Sequence, residues 1–144
     1  MTRVIFACAN GDGRSQMAAA WFNQIAATER VRAISAARRV GACGYPEEVA
    51  QVMQEVGVDF LPVLPHRLSG PLAAGAQHLV TMGPAEDYPF FAGVKIEDWS
   101  VEDPRGKPIE RVRQIRDEIR GRVEKMIEVN GWGRLEETRT GTRG

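Results

Sequence analysis

The chain has 144 residues and a mass of 15.9 kDa, a length that suits one domain with a real core. Hydrophobic residues make up 43%, and 19 Lys and Arg balance 19 Asp and Glu, which excludes general disorder, a nucleic-acid coat and a polybasic membrane binder. No apolar run approaches the ~20 residues of a membrane span, and two cysteines exclude a disulfide scaffold or a four-thiolate zinc site, so a reducing cytoplasm is the expected compartment.

In chain order, residues 3–8 (RVIFAC) are apolar and β-prone, the pattern of a buried parallel strand. Residues 10–13 (NGDG) form a tight loop. From Ser15 the spacing turns helical, with Met17, Ala20, Trp21 and Ala26 on one face. Residues 31–36 read as a second strand. Pro46, Glu47 and Glu48 open a helix whose stripe is Val49, Val52, Met53 and Val56, and Gly57 stops it. Pro62, Pro65 and Pro71 break up residues 58–77, where a short helix at 72–76 is expected. Residues 78–82 and 94–99 read as the third and fourth strands. Ile109, Val112, Ile115, Ile119, Val123, Met126 and Ile127 mark a long amphipathic helix ended by Gly131. Arg113, Arg116, Asp117, Arg120 and Glu124 form its solvated face. Strands alternating with helices predict an α/β fold, a four-stranded parallel sheet flanked by helices. One domain at 1–129 is expected, followed by a flexible C-terminal tail at 130–144.

In such sheets ligands bind beyond the carboxyl ends of the strands, and Cys8 ends the first. Residues 8–15 (CANGDGRS) have the spacing Cys, five residues, Arg, Ser. Glycines let backbone N–H groups converge on a tetrahedral oxyanion, and the following helix adds its N-terminal amides. Arg14 grips two oxygens in a planar fork. Ala9, Asn10, Gly11, Asp12, Gly13, Arg14 and Ser15 therefore read as an oxyanion-binding loop. Its positive features favour the thiolate of Cys8, to which the Ser15 hydroxyl can hydrogen-bond. Asp12 either repels the oxyanion or caps the helix. His66 and His78 have no ligand-spaced neighbours; they read as a loop residue and a strand-edge residue, and no metal is assigned.

The Cys-x5-Arg-Ser loop at a strand–helix junction, Gln16-Met17-Ala18 behind it, Ile34-Ser35-Ala36, and residues 99–104 (WSVEDP) resemble the low-molecular-weight protein tyrosine phosphatase superfamily over residues 1–129, and within it the arsenate reductases. The resemblance implies a low-molecular-weight-phosphatase-like fold with the phosphate loop after the first strand. It also implies Cys8 as nucleophile, Arg14 as oxyanion ligand and Asp103 as general acid; read alone, Asp103-Pro104 is a turn. Three features bring the chain nearer the reductases. Ser-Gln-Met-Ala follows Arg14 where the phosphatases carry Ser-Pro. Arg105-Gly106-Lys107 follows the Asp-Pro where they place tyrosines. Residues 36–44 hold no aromatic ring to stack on a phenol.

Thioredoxin-coupled reductases resemble this chain but carry two further cysteines after the third strand, where Gly83 and Tyr88 stand here. The resemblance thus implies a single-cysteine reductase acting on arsenate or a phosphate-type oxyanion, with no bound cofactor. Its cosubstrate would be a low-molecular-weight thiol such as mycothiol, or a glutaredoxin-like reductant. Cys43, within loop 41–44, is the intramolecular candidate for a resolving thiol. No nucleic-acid or membrane partner is expected. Two alternatives stay open: an aryl phosphate or protein tyrosine phosphatase using the same site, and a non-catalytic oxyanion-binding module, motivated by Gly11 and Asp12.

Overall fold

The computed structural model describes residues 1–8, 13–37, 46–58, 66–83 and 93–134. Among these lie β1 (Thr2–Cys8), α1 (Arg14–Ile25), β2 (Val31–Ala37), α2 (Glu47–Glu55), β3 (His66–Arg67), α3 (Gly70–Ala74), β4 (His78–Thr81), β5 (Lys95–Asp98) and α4 (Ile109–Asn130). Every strand pairing is parallel, in the order β3-β2-β1-β4-β5. The chain therefore winds outward from β1 in one direction and then returns past it in the other. That reversal places a topological switch point between β1 and β4, at the carboxyl end of β1 where Cys8 sits.

Side-chain alternation along β1 divides the core. Val4, Phe6 and Cys8 face α1, α2 and α4, whereas Ile5 and Ala7 face the smaller layer of Leu68, Ala76 and Leu79. All five residues from Val4 to Cys8 are fully buried, as a central parallel strand requires. Phe6 packs against both Phe22 and Trp99, with ring centroids 5.9 and 5.4 Å away, so one strand residue joins α1 to the segment after β5.

The sheet has five strands rather than the expected four. The additional strand, β3, pairs only Ala36 with His66 and Ala37 with Arg67. Two residues are too few for an alternating pattern, and the Pro65 before them reads as a breaker. His66 is thus an exposed edge-strand residue instead of a loop residue. Because β3 is so short, most of the outer edge of β2 lacks a strand neighbour among the described residues. Asn23 of α1 closes it at Ala33, accepting from Ala33 N–H at 2.8 Å and donating to its carbonyl at 2.9 Å.

The short helix forms at Gly70–Ala74, two residues earlier than expected, because Ser69 caps it by accepting from Leu72 N–H and Pro71 suits its first turn. Arg116 also differs from its expected place on a solvated face. It is only 8% exposed and donates to the Val52 carbonyl in the last turn of α2 at 2.8 Å, with Glu55 and Asp117 beside it. Helical periodicity counts Arg as polar; the packing of α4 against α2 turns it into a staple between helices. Beyond Gly131, which has φ 69°, Trp132 stacks edge-on against Phe22 and His78, and its carbonyl accepts from Ala27 N–H at 2.8 Å. Residues 131–134 therefore pack on the domain, and residues 135–144 of the expected tail lie outside the described residues. Among the described residues no helix is long and apolar enough to cross a membrane.

Candidate active site

β1 ends at Cys8, and α1 begins at Arg14 after Gly13. Gly13 has φ 109°, a left-handed conformation that a side chain disfavours, and its carbonyl accepts the first helical bond from Met17 N–H at 2.9 Å. The start of α1 lies against the end of β1. Cys8 Sγ and Ser15 Oγ come to 3.1 Å, both fully buried, and Ser15 Oγ also lies 3.5 Å from Gln16 Oε1. The hydroxyl contact anticipated from the motif is therefore present.

Arg14 reaches across the switch point. Its Nη1 donates to the Met82 carbonyl after β4 and to the Val101 carbonyl after β5, each at 2.7 Å. Two carbonyl acceptors on one nitrogen fix the plane of the guanidinium and draw three loops to one place. Motif reading had no means of finding these two groups, because a backbone carbonyl carries no residue signature.

Asp103 lies two residues beyond Val101 and is exposed. Its Oδ1 accepts from Arg105 N–H at 2.9 Å, so the turn read from Asp103-Pro104 is formed. The same segment is tied to Arg14 two residues earlier, through the Val101 carbonyl. Glu102 between them is bound by Arg111 and Lys107; these two cations, the Arg111 hydrogen bond foremost, hold its carboxyl below the usual carboxylate range. Ser35 is buried on β2 opposite Phe6 of β1. The structure thus brings Cys8, Gly13, Arg14 and Ser15 together, with the Asp103 loop adjoining. Ala9, Asn10, Gly11, Asp12 and Cys43 lie outside the described residues. Among the described residues no group of three or more His, Cys, Asp and Glu side chains could hold a metal ion.

No family model matches the chain. A Halobacterium salinarum protein named "Putative arsenate reductase" is 32% identical over 127 residues, covering 85% of this chain and 88% of its own length. A thioredoxin-dependent arsenate reductase of Corynebacterium glutamicum superposes with a TM-score of 0.74 at 26% identity, over 90% of this chain; this chain spans only 61% of that one. A low-molecular-weight protein tyrosine phosphatase from T. tengcongensis superposes with a TM-score of 0.70 at 26% identity, covering 89% of this chain and 99% of that one. With the thiol, hydroxyl and guanidinium gathered where β1 meets α1, and with this identity over most of its length, the chain belongs to the arsenate reductases built on the low-molecular-weight protein tyrosine phosphatase fold.

Proposed function

We propose that the chain reduces arsenate to arsenite, with Cys8 as nucleophile and a separate thiol as reductant. The observation that carries this reading is the buried 3.1 Å contact between Cys8 Sγ and Ser15 Oγ at the switch point, with Arg14 alongside. A hydroxyl donating to sulfur and the start of a helix both favour the thiolate over the thiol. Arsenate binds through residues 9–15, with Arg14 as its planar fork. The Cys8 thiolate forms a bond to arsenic, and one As–O bond breaks with its electron pair on oxygen. Asp103 supplies the proton, and water leaves. Oδ1 of Asp103 is held by Arg105 N–H, so Oδ2 is the oxygen that carries this proton.

A thiolate from the reductant then attacks Cys8 Sγ. The S–As bond breaks with its pair on arsenic, releasing arsenite, and a mixed disulfide remains on Cys8. A second thiol restores Cys8, so two thiols are oxidised for one arsenic reduced. The chain holds one cysteine besides Cys8, namely Cys43, and so lacks the further pair of a two-cysteine relay. This favours a low-molecular-weight thiol or a glutaredoxin-like protein as reductant, with Cys43 outside the reaction.

The test compares arsenite production with glutathione, mycothiol and thioredoxin systems, alongside hydrolysis of p-nitrophenyl phosphate. The reading expects arsenite only when an external thiol is added. Arsenite formed without one, together with a Cys8–Cys43 disulfide, makes Cys43 the resolving thiol. Phosphate ester hydrolysis with no arsenite under any reductant makes the protein a phosphatase, and turnover in neither assay makes it an oxyanion-binding module.

A further inference from the structure

Three consecutive residues after β5 are anchored in three directions. The Val101 carbonyl accepts from Arg14 Nη1 at 2.7 Å. Glu102 Oε1 accepts from Arg111 Nε at 2.7 Å and from Arg111 Nη2, and its Oε2 lies 3.3 Å from Lys107 Nζ. Asp103 Oδ1 accepts from Arg105 N–H. Arg111 is itself steadied by Gln114, to which its Nη1 donates at 2.7 Å. The only hydrogen bond on the Asp103 side chain among the described residues is local to its own turn. That turn fixes the conformation of the loop but not its distance from Arg14. The neighbouring residues tie the loop outward: Val101 to Arg14 on one side, and Glu102 to Arg111 in the first turn of α4 on the other.

A lone exposed ion pair contributes little to stability. In this one two Arg111 nitrogens converge on one carboxylate oxygen and Lys107 meets the other, and the cluster spans residues 102–111, the whole loop that carries Asp103. We propose that Glu102 is a positioning residue: its ion cluster with Arg111 and Lys107 sets where the Asp103 carboxyl stands relative to Arg14 and the bound oxyanion. The proposal rests on the reading of Asp103 as the proton donor. A donor displaced by about 1 Å loses rate by up to about a hundredfold while the oxyanion remains bound, because the loop amides and Arg14 are untouched.

The experiment measures single-turnover arsenite formation at saturating thiol, arsenate affinity and denaturation midpoint for five variants: Glu102→Gln, Lys107→Met, Asp103→Asn, the double variant Glu102→Gln/Asp103→Asn, and the charge exchange Glu102→Arg/Arg111→Glu. Glu102→Gln is expected to slow the rate about tenfold with arsenate affinity unchanged, Lys107→Met less, and the charge exchange, which leaves Lys107 without its carboxylate, to recover only part of the loss. In the Asp103→Asn background, Glu102→Gln is expected to add nothing. A slow Asp103→Asn beside a Glu102→Gln at the parent rate overturns the positioning role. So does an additional tenfold loss in the double variant, which would mean Glu102 acts independently of Asp103. Asp103→Asn at the parent rate instead removes the reading of Asp103, and the role of Glu102 with it. A lowered denaturation midpoint with unchanged rates reduces the cluster to a structural tie.

Discussion

At Cys8 the sulfur is fully buried, and the Ser15 hydroxyl is 3.1 Å away. A negative charge there depends on the hydrogen bonds it receives, because burial strips it of most solvation by bulk water. Cys8→Ser should abolish arsenite formation while leaving the fold, since a hydroxyl of far higher pKa supplies no anionic nucleophile; retained activity would place the chemistry elsewhere. Ser15→Ala tests the neighbour. Loss of a hydrogen bond to a charged group, worth about 1.5–3 kcal/mol, should slow turnover at neutral pH roughly tenfold or more and move the acid limb of the kcat/KM profile to higher pH. The shift of the profile is the telling measurement, because a packing defect alone would lower the rate without moving the limb. Both residues were legible in the Cys-x5-Arg-Ser spacing, as was Arg14. The Met82 and Val101 carbonyls that hold Arg14 were not, because nothing in a residue's identity says where its carbonyl will point.

At the scale of elements, α4 meets α1 and α2 through different chemistry. Toward α1 it presents Arg120, whose guanidinium lies 4.9 Å from the centre of the Trp21 ring. Toward α2 it presents Arg116, buried and donating to the Val52 carbonyl at 2.8 Å. A cation beside the last turn of a helix satisfies an acceptor and meets the negative end of its dipole. Arg116→Ala should destabilise the protein by about 2–3 kcal/mol, because it removes a charged hydrogen bond together with a buried aliphatic stem. Urea denaturation of Arg116→Ala beside Arg113→Ala checks this. Arg113 pairs with the same Glu55 but is 39% exposed, so its loss should cost clearly less, and equal losses would contradict the staple.

For the molecule as a whole, three groups tie stability to pH in one direction. Burial lowers the pKa of His78 from its ordinary value near 6.5, with Lys95 adding to the effect. Glu55 is held below its ordinary 4.5 chiefly by the Arg113 hydrogen bond, and Glu102 below the same value chiefly by that of Arg111. Each depressed group binds fewer protons folded than unfolded, so its contribution is complete above the unfolded value and is lost as pH falls through the folded one. Stability should therefore begin to decline below about pH 6.5 through His78 and decline further below about pH 4.5 through the two glutamates. Denaturant midpoints across pH 3–8 test this: His78→Gln should flatten the upper part of the curve, and salt should weaken the lower part, where the pairs are solvent-exposed. A midpoint that rises on acidification would contradict the assignment.

The amino-acid sequence by itself determined the alternation of strands and helices, the parallel sheet and the loop bearing Cys8, Arg14 and Ser15. These rest on short-range patterns: apolar runs, helical stripes, glycine and proline punctuation, and one fixed spacing. Tertiary structure alone decided the rest. Whether Arg116 is solvated depends on which helix lies across from it, 64 residues away in sequence. A fifth strand of two residues exists because β2 offers a free edge at Ala36 and Ala37, which no pattern within His66–Arg67 records. The likeness of Asp103 to a proton donor was visible in WSVEDP, but the tie between its loop and Arg14 is made by the carbonyl of Val101, 87 residues along the chain from that guanidinium. Contacts of that kind are made by the packing of β4 and β5 beside β1, and a linear pattern holds no trace of them until the sheet has assembled.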